Sequence, residues 1–229
     1  MNSFFRSSIG QKFIMCLTGF FLIAFLLVHL TLNSFIIFDD SGDLFNQGAH
    51  FMGTNPIVKI VEPVLAIGFI LHIVYAVYLT MKNQRTRPQN YSTQKMGKSS
   101  SWASRNMFVL GSLILIFLVI HIINFYWKIR FIGDPLLAEV EVNGKHMEDA
   151  FRLVTTLFLT WKWSVLIYVL GAGVLGLHLY HAFWSAFQTL GWSNLKWRNI
   201  LKIVGLLYSL LIACGFAIIP LWVLIKSII

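Results

Sequence analysis

Charge is scarce in this sequence. Eighteen Lys and Arg with nine Asp and Glu make up 12% of 229 residues, about half the share of an ordinary soluble domain, while 57% of the chain is hydrophobic. That shortage excludes a solvated globular protein and leaves a membrane protein. Cysteine is as scarce: Cys16 and Cys214 are the only two, both in apolar runs, so the chain builds neither a disulfide framework nor a four-thiolate iron–sulfur cluster. There is no Cys-x-x-Cys-His, which excludes covalent c-type haem. No Asp or Glu follows Asp149. The Gly171-Ala-Gly-Val-Leu-Gly176 stretch therefore fails as a dinucleotide fingerprint, having neither an acid for a ribose nor a preceding strand.

What is present is long apolar stretches. Uncharged runs fill 13–38, 63–81, 106–127, 163–195 and 203–225, and a span needs roughly 20 such residues. The reading is a single transmembrane domain over 1–229, all-α, with five helices at about 13–38, 60–81, 106–127, 163–188 and 203–225. The first run is far longer than the apolar region of a secretory signal and has no small-residue cleavage site after it, so it is expected to stay as the first helix. The connections 39–62, 82–105, 128–162 and 196–202 are each too short to bury a core.

Eleven basic residues, Arg6, Lys12, Lys82, Arg85, Arg87, Lys95, Lys98, Arg105, Lys196, Arg198 and Lys202, share one side with no acid, and all nine acids fall in the other two connections. The positive-inside rule then places the N-terminus in the cytoplasm and the C-terminus outside. Boundary aromatics agree: Tyr126, Trp127, Trp161 and Trp163 outside, Trp102, Trp192 and Trp197 inside. The basic face reads first as topogenesis and contact with anionic lipid; docking of a soluble partner is the sharper alternative.

Five of seven histidines, His29, His72, His121, His178 and His181, lie within spans, where polar side chains are rare and costly. A lone one is ordinarily a packing residue, but helices one to four each carry at least one. Depth follows from a rise of about 1.5 Å per residue. His29 is 17 residues from Lys12 and 10 from Asp39, and His121 is 16 from Arg105 and 7 from Lys128, which puts both in the outer half. His72 is 10 from both Glu62 and Lys82, and His178 is 16 beyond Lys162, at or below the midplane. An outer pair and a lower pair result, roughly 10 Å apart in depth. Two facing imidazoles on a helix bundle suit a bis-histidine b-type haem. Gly19 and Gly111, each ten residues before an outer histidine, Gly68, and Gly171, Gly173 and Gly176 before His178 fit a flat macrocycle or, equally, plain helix packing. His181 could bond a propionate or a quinone, or pack as an ordinary polar residue; His50 and His146 fall in outer loops and read as solvated.

Two stretches carry a family likeness. Ser7-Ser-Ile-Gly10 with Lys12, Thr18-Gly19 and His29-Leu-Thr-Leu-Asn33, followed by His178-Leu-Tyr-His-Ala-Phe-Trp-Ser-Ala-Phe-Gln-Thr-Leu-Gly191, resemble the cytochrome b subunit of the five-helix, two-haem class of succinate dehydrogenases and fumarate reductases. The resemblance spans essentially the whole chain. In that family the last ligand lies six residues before the aromatic of the Phe-Trp-Ser segment, which selects His178 over His181, and the other ligands map onto His29, His72 and His121. The resemblance implies a flavoprotein with covalent FAD and an iron–sulfur subunit docked on the cytoplasmic face of a bacterial inner membrane. It also implies two haem b groups that pass electrons to a quinone, usually menaquinone. Fumarate reductases of the class carry a glutamate two residues before the last ligand as a proton route; Gly176 stands there in this chain.

A quinone acting near the upper haem is expected to use Asn33, Glu62 or Asn124. Asn33 and Asn124 follow the outer histidines by four and three residues, about one turn. Glu62, beside Pro63, also reads as a plain first-turn acid favoured by the helix dipole. The competing functions are another dihaem quinol-oxidising subunit, whose ligands usually group differently on the helices, and a haem-free transporter with a histidine proton relay. The latter is expected to show broken helices or inverted repeats.

Overall fold

The computed structural model describes residues 7–85, 102–192 and 194–228. In chain order they form α1 (Ser8–Phe38), α2 (Asp43–Thr54), α3 (Pro56–Arg85), the single turn α4 (Trp102–Arg105) and α5 (Met107–His121). A hairpin of β1 (Glu139–Val142) and β2 (Lys145–Glu148) follows, then α6 (Ala150–Thr160), α7 (Lys162–Thr189) and α8 (Leu195–Lys226). α5 runs on through two π-helical segments, Ile122–Tyr126 and Lys128–Ile132. Five of these helices, α1, α3, extended α5, α7 and α8, are long and apolar enough to cross a membrane. The described residues form the helical bundle of a multi-pass membrane protein, with one small hairpin.

Hydrocarbon offers the backbone no partners, so each apolar run satisfies its own amides as helix. Polar side chains set the ends. Ser7 Oγ accepts from the Gly10 N–H at 3.0 Å, and Asn194 Oδ1 from the Trp197 N–H at 2.9 Å. Three of the long helices begin several residues earlier than charge spacing implies: α1 at Ser8, α3 at Pro56 and α8 at Leu195. Charged residues at a helix end sit at the interface without stopping it.

Cross-links fix the alternation of direction. Lys82 near the end of α3 donates to Gln11 Oε1 at 3.0 Å near the start of α1, and the Cys16 thiol reaches the Ala186 carbonyl late in α7. At the opposite end Arg130 meets Glu62 at 2.9 Å, and Lys226 pairs with Asp40. The bundle thus has one basic end and one acidic end. Of the eleven basic residues, Arg6, Arg87, Lys95 and Lys98 lie outside the described residues. Trp102, Trp192 and Trp197 at the basic end, and Tyr126, Trp127, Trp161 and Trp163 at the acidic end, are exposed, as interfacial aromatics are.

The acidic-end connections bury no core singly but pack together. β1 and β2 join through Asn143 (φ 54°) and Gly144 (φ 74°), the two left-handed residues of a tight hairpin turn. In α6, Ala150, Leu153, Val154 and Phe158 are buried, one face at helical spacing. Leu153 and Phe158 join the same cluster as Leu30, Ile36, Ile219 and Val223 of the bundle. Buried Asn46 fastens α2 to the start of α6: its amide donates to Asp149 Oδ1 at 3.1 Å and its oxygen accepts from the Phe151 N–H at 2.8 Å.

Packing is uneven across the bundle. A third of the apolar stretch of α7 is buried, against 6% for α1, α3 and extended α5. α3 buries one residue, Gly68, and α5 one, Leu110. Among α7 and α8 the contact is close, with the Gly176 Cα facing Ala213.

Candidate functional site: two levels of histidine

α1 and α5 rise together, so their histidines reach a common level near the acidic end. The His29 and His121 ring centres are 5.7 Å apart with planes at 87°. Aromatic rings surround the pair. Phe25, one turn before His29, stacks on it at 5.2 Å, and Phe216 of α8 stands at 5.5 Å. Phe117 and Phe125, one turn on either side of His121, lie at 6.0 and 5.3 Å. Tyr168 of α7 completes the collar, 6.0 Å from His121.

α3 and α7 descend and carry the second level. The glycines ten residues below the upper histidines meet it from the other helices: a Cβ on Gly19 would lie 3.7 Å from His72 Cε1, and one on Gly111 3.8 Å from His178 Cε1. His72 and His181 lie within electrostatic range of His178. The same device thus occurs twice, α1 with α3 and α5 with α7, each ascending helix bearing an upper histidine and, below it, a glycine beside the lower histidine of its neighbour. His181 lies one turn nearer the basic end, edge-on to Trp184 at 5.7 Å, whose ring also carries Lys202 at 5.2 Å.

All five rings are half-buried, yet the Nδ1 atoms of His121, His178 and His181 are fully buried without a hydrogen-bond partner. An unpaired buried polar group costs about 1–3 kcal/mol. For His121 and His178 the accessible edge is then the one bearing Nε2, the side a metal would take. His72 differs: its Nδ1 lies 3.2 Å from Thr18 Oγ1. Among the described residues no three His, Cys, Asp or Glu side chains converge as a metal site. Each level offers two imidazoles, which are too few for a bare ion but suit a metal that brings its other ligands in a macrocycle.

The three quinone candidates are placed differently. The Asn33 amide donates to the His29 carbonyl at 2.8 Å, inside its own helix. Asn124 turns inward and donates to the Tyr168 hydroxyl at 3.1 Å. Glu62 lies seven residues into α3, past the first turn, so the dipole reading of this residue is corrected. A clamp holds it instead: Tyr126 donates to Oε1 at 2.6 Å and Arg130 to Oε2 at 2.9 Å. No hydrogen bond among the described residues joins the three candidates.

The clamp depends on the π-helical continuation of α5. Wider turns of this kind recur at functional sites, and here they turn Tyr126 and Arg130 toward α3 and Asn124 toward α7. Arg130 also lines an open cavity of about 420 Å³ with His50, Thr54, Glu139, His146 and Glu148, so both loop histidines border one recess. Sequence reasoning overlooked Thr18, Tyr126, Arg130 and Tyr168 as site residues. The four-residue step from Tyr126 to Arg130 was a signal for a shared face; nothing in sequence marked Tyr168. No known protein family, curated protein or solved structure matches the chain.

Proposed function

We propose that this chain is the dihaem cytochrome b membrane anchor of a succinate:quinone oxidoreductase, with His29/His121 and His72/His178 as the axial ligands of two haem b groups. The observation that carries this reading is the doubled arrangement of imidazoles across helix pairs, the upper pair 5.7 Å apart and the lower histidines each faced by a glycine. When bound, the haems would relay single electrons between an iron–sulfur partner and membrane quinone.

In this reading the basic end is cytoplasmic, in a bacterial inner membrane, and the C-terminus is periplasmic. A flavoprotein with FAD and an iron–sulfur subunit dock on the basic end and hold the dicarboxylate site, and the quinone is menaquinone. The aromatic collar around His29 and His121 keeps water from the upper level. His181 with Lys202 offers a hydrogen bond and a charge near the lower level, suited to a propionate. Glu62, held between Tyr126 and Arg130, is the acid of this reading's quinone site, and its guanidinium partner borders the acidic-end cavity.

The test is purification from membranes with a reduced-minus-oxidised spectrum and mass identification of co-purifying chains. Two reducible b-type signals with flavin and iron–sulfur partners are expected. Haem with different partners would point to another quinol-oxidising complex, and a colourless protein would sink every haem reading.

A further inference from the structure

The four imidazoles are not held alike. Nδ1 of His121 and of His178 is buried without a partner, whereas Nδ1 of His72 lies 3.2 Å from the hydroxyl oxygen of Thr18 on α1. Thr18 is itself buried. Its hydroxyl has one proton, with the Ile14 and Met15 carbonyls at 3.0 and 3.1 Å as acceptors within its own helix, the usual back-bonding of a helical threonine. With the proton turned into α1, the oxygen offers His72 a lone pair, and Nδ1 must be the nitrogen that carries hydrogen. A neutral imidazole has one N–H, so Nε2 keeps its lone pair free. Gly19, the next residue, has its Cβ position 3.7 Å from His72 Cε1. The Nδ1–Cε1 edge of the ring therefore rests on the Thr18-Gly19 step, and Nε2 turns away from Thr18.

We infer that Thr18 is the positioning residue of His72: its hydroxyl, accepting from Nδ1–H across the α1–α3 contact, fixes the tautomer and tilt that present Nε2 to a metal. The inference rests on the haem reading above and adds an asymmetry to it, since among the described residues His178 at the same level has no such support. An N–H donated to oxygen makes imidazole a stronger donor, and a stronger donor favours the oxidised metal. The lower haem is thereby held at a lower potential than its two histidines alone would set.

The experiment is a redox titration of both b-type signals in the intact complex, with low-temperature electron paramagnetic resonance of the oxidised haems, for wild type, Thr18→Val and Thr18→Ser. The lower signal is the one that His178→Ala removes. In Thr18→Val the lower potential should rise and its resonance should shift, with the upper signal unmoved; Thr18→Ser should restore both. If Thr18→Val does not assemble, Thr18→Ala against Thr18→Ser reads the same difference of one hydroxyl. Two haem signals, neither moved by loss of the hydroxyl, would overturn the role of Thr18 while leaving the haem reading intact. Absence of two b-type signals in the wild-type complex would instead overturn that reading.

Discussion

Adding one methyl group at chosen glycines separates space needed by protein from space needed by a cofactor. At Gly19 and Gly111 the new Cβ would lie 3.7 and 3.8 Å from His72 and His178, ordinary van der Waals contact with no protein atom displaced. Glycine to alanine inside a helix is favourable by about 1 kcal/mol, so for the polypeptide alone both substitutions should be neutral or stabilising. Gly176→Ala is the contrast: its Cβ would meet the Ala213 Cβ at 2.7 Å, where α7 crosses α8. Overpacking of that kind costs about 1–3 kcal/mol, and the helix gain offsets about 1 of it, leaving a net loss of up to about 2 kcal/mol. If a macrocycle lies against the Gly19 and Gly111 faces, the order reverses. Gly19→Ala and Gly111→Ala should lose the lower b-type signal and melt below wild type, while Gly176→Ala keeps both haems at somewhat lower stability. Haem content per chain and thermal unfolding in detergent measure both quantities. A full complement of two haems with wild-type spectra in Gly19→Ala and Gly111→Ala would refute the placement.

Replacing a ligand should be level-specific: His29→Ala or His121→Ala removes the upper signal and spares the lower, and His72→Ala or His178→Ala does the reverse. Two intact bis-histidine spectra in any of these four would contradict the assignment. Glu62→Gln should cost under about 1 kcal/mol of stability, because the Arg130 pair is part-exposed and such pairs contribute little. It should nevertheless depress quinone turnover while succinate oxidation by an artificial acceptor continues; unimpaired quinone turnover would move the site to the basic end, near Ser8 and His181. The Leu44 N–H and then the Ser41 hydroxyl hold the Asp39 carboxyl below its usual range, and the Leu136 N–H and then Lys128 do so for Asp134. A lowered carboxyl pKa contributes stability that is present above the ordinary value near 3.9 and is lost as pH falls through the lowered one. The melting temperature should therefore drop below about pH 4, with a shallower acid limb in the Asp39→Asn, Asp134→Asn double variant; an unchanged limb would show these contacts to be without weight.

Much of this architecture is visible in one dimension because hydrocarbon rejects charge. Runs free of Asp, Glu, Lys and Arg had to become the five long helices, and a constant rise per residue converts the positions of His29, His72, His121 and His178 into depth. Boundaries were less legible. Pro56 and Leu195 open their helices beyond the uncharged runs, since long charged side chains at a helix end reach the interface without ending it. The Asn143-Gly144 hairpin was written in the sequence as a turn dipeptide and went unread beside the stronger apolar signal.

Depth is not contact, and rotation about the helix axis decides contact. Which face α1 shows to α3 depends on the packing of all five helices, so the sequence alone could not bring Thr18 to His72 or Gly111 to His178. Glu62 was recognisable as an acid near a membrane boundary, but its clamp exists only because α5 widens into π-helix after His121 and turns Tyr126 and Arg130 onto α3. Likewise Asn46, an ordinary loop residue in sequence, becomes a buried link between segments 103 residues apart. Local composition and period set what each segment is, through the solvent it must satisfy; only the tertiary structure sets which side chains meet, through packing that no single segment contains.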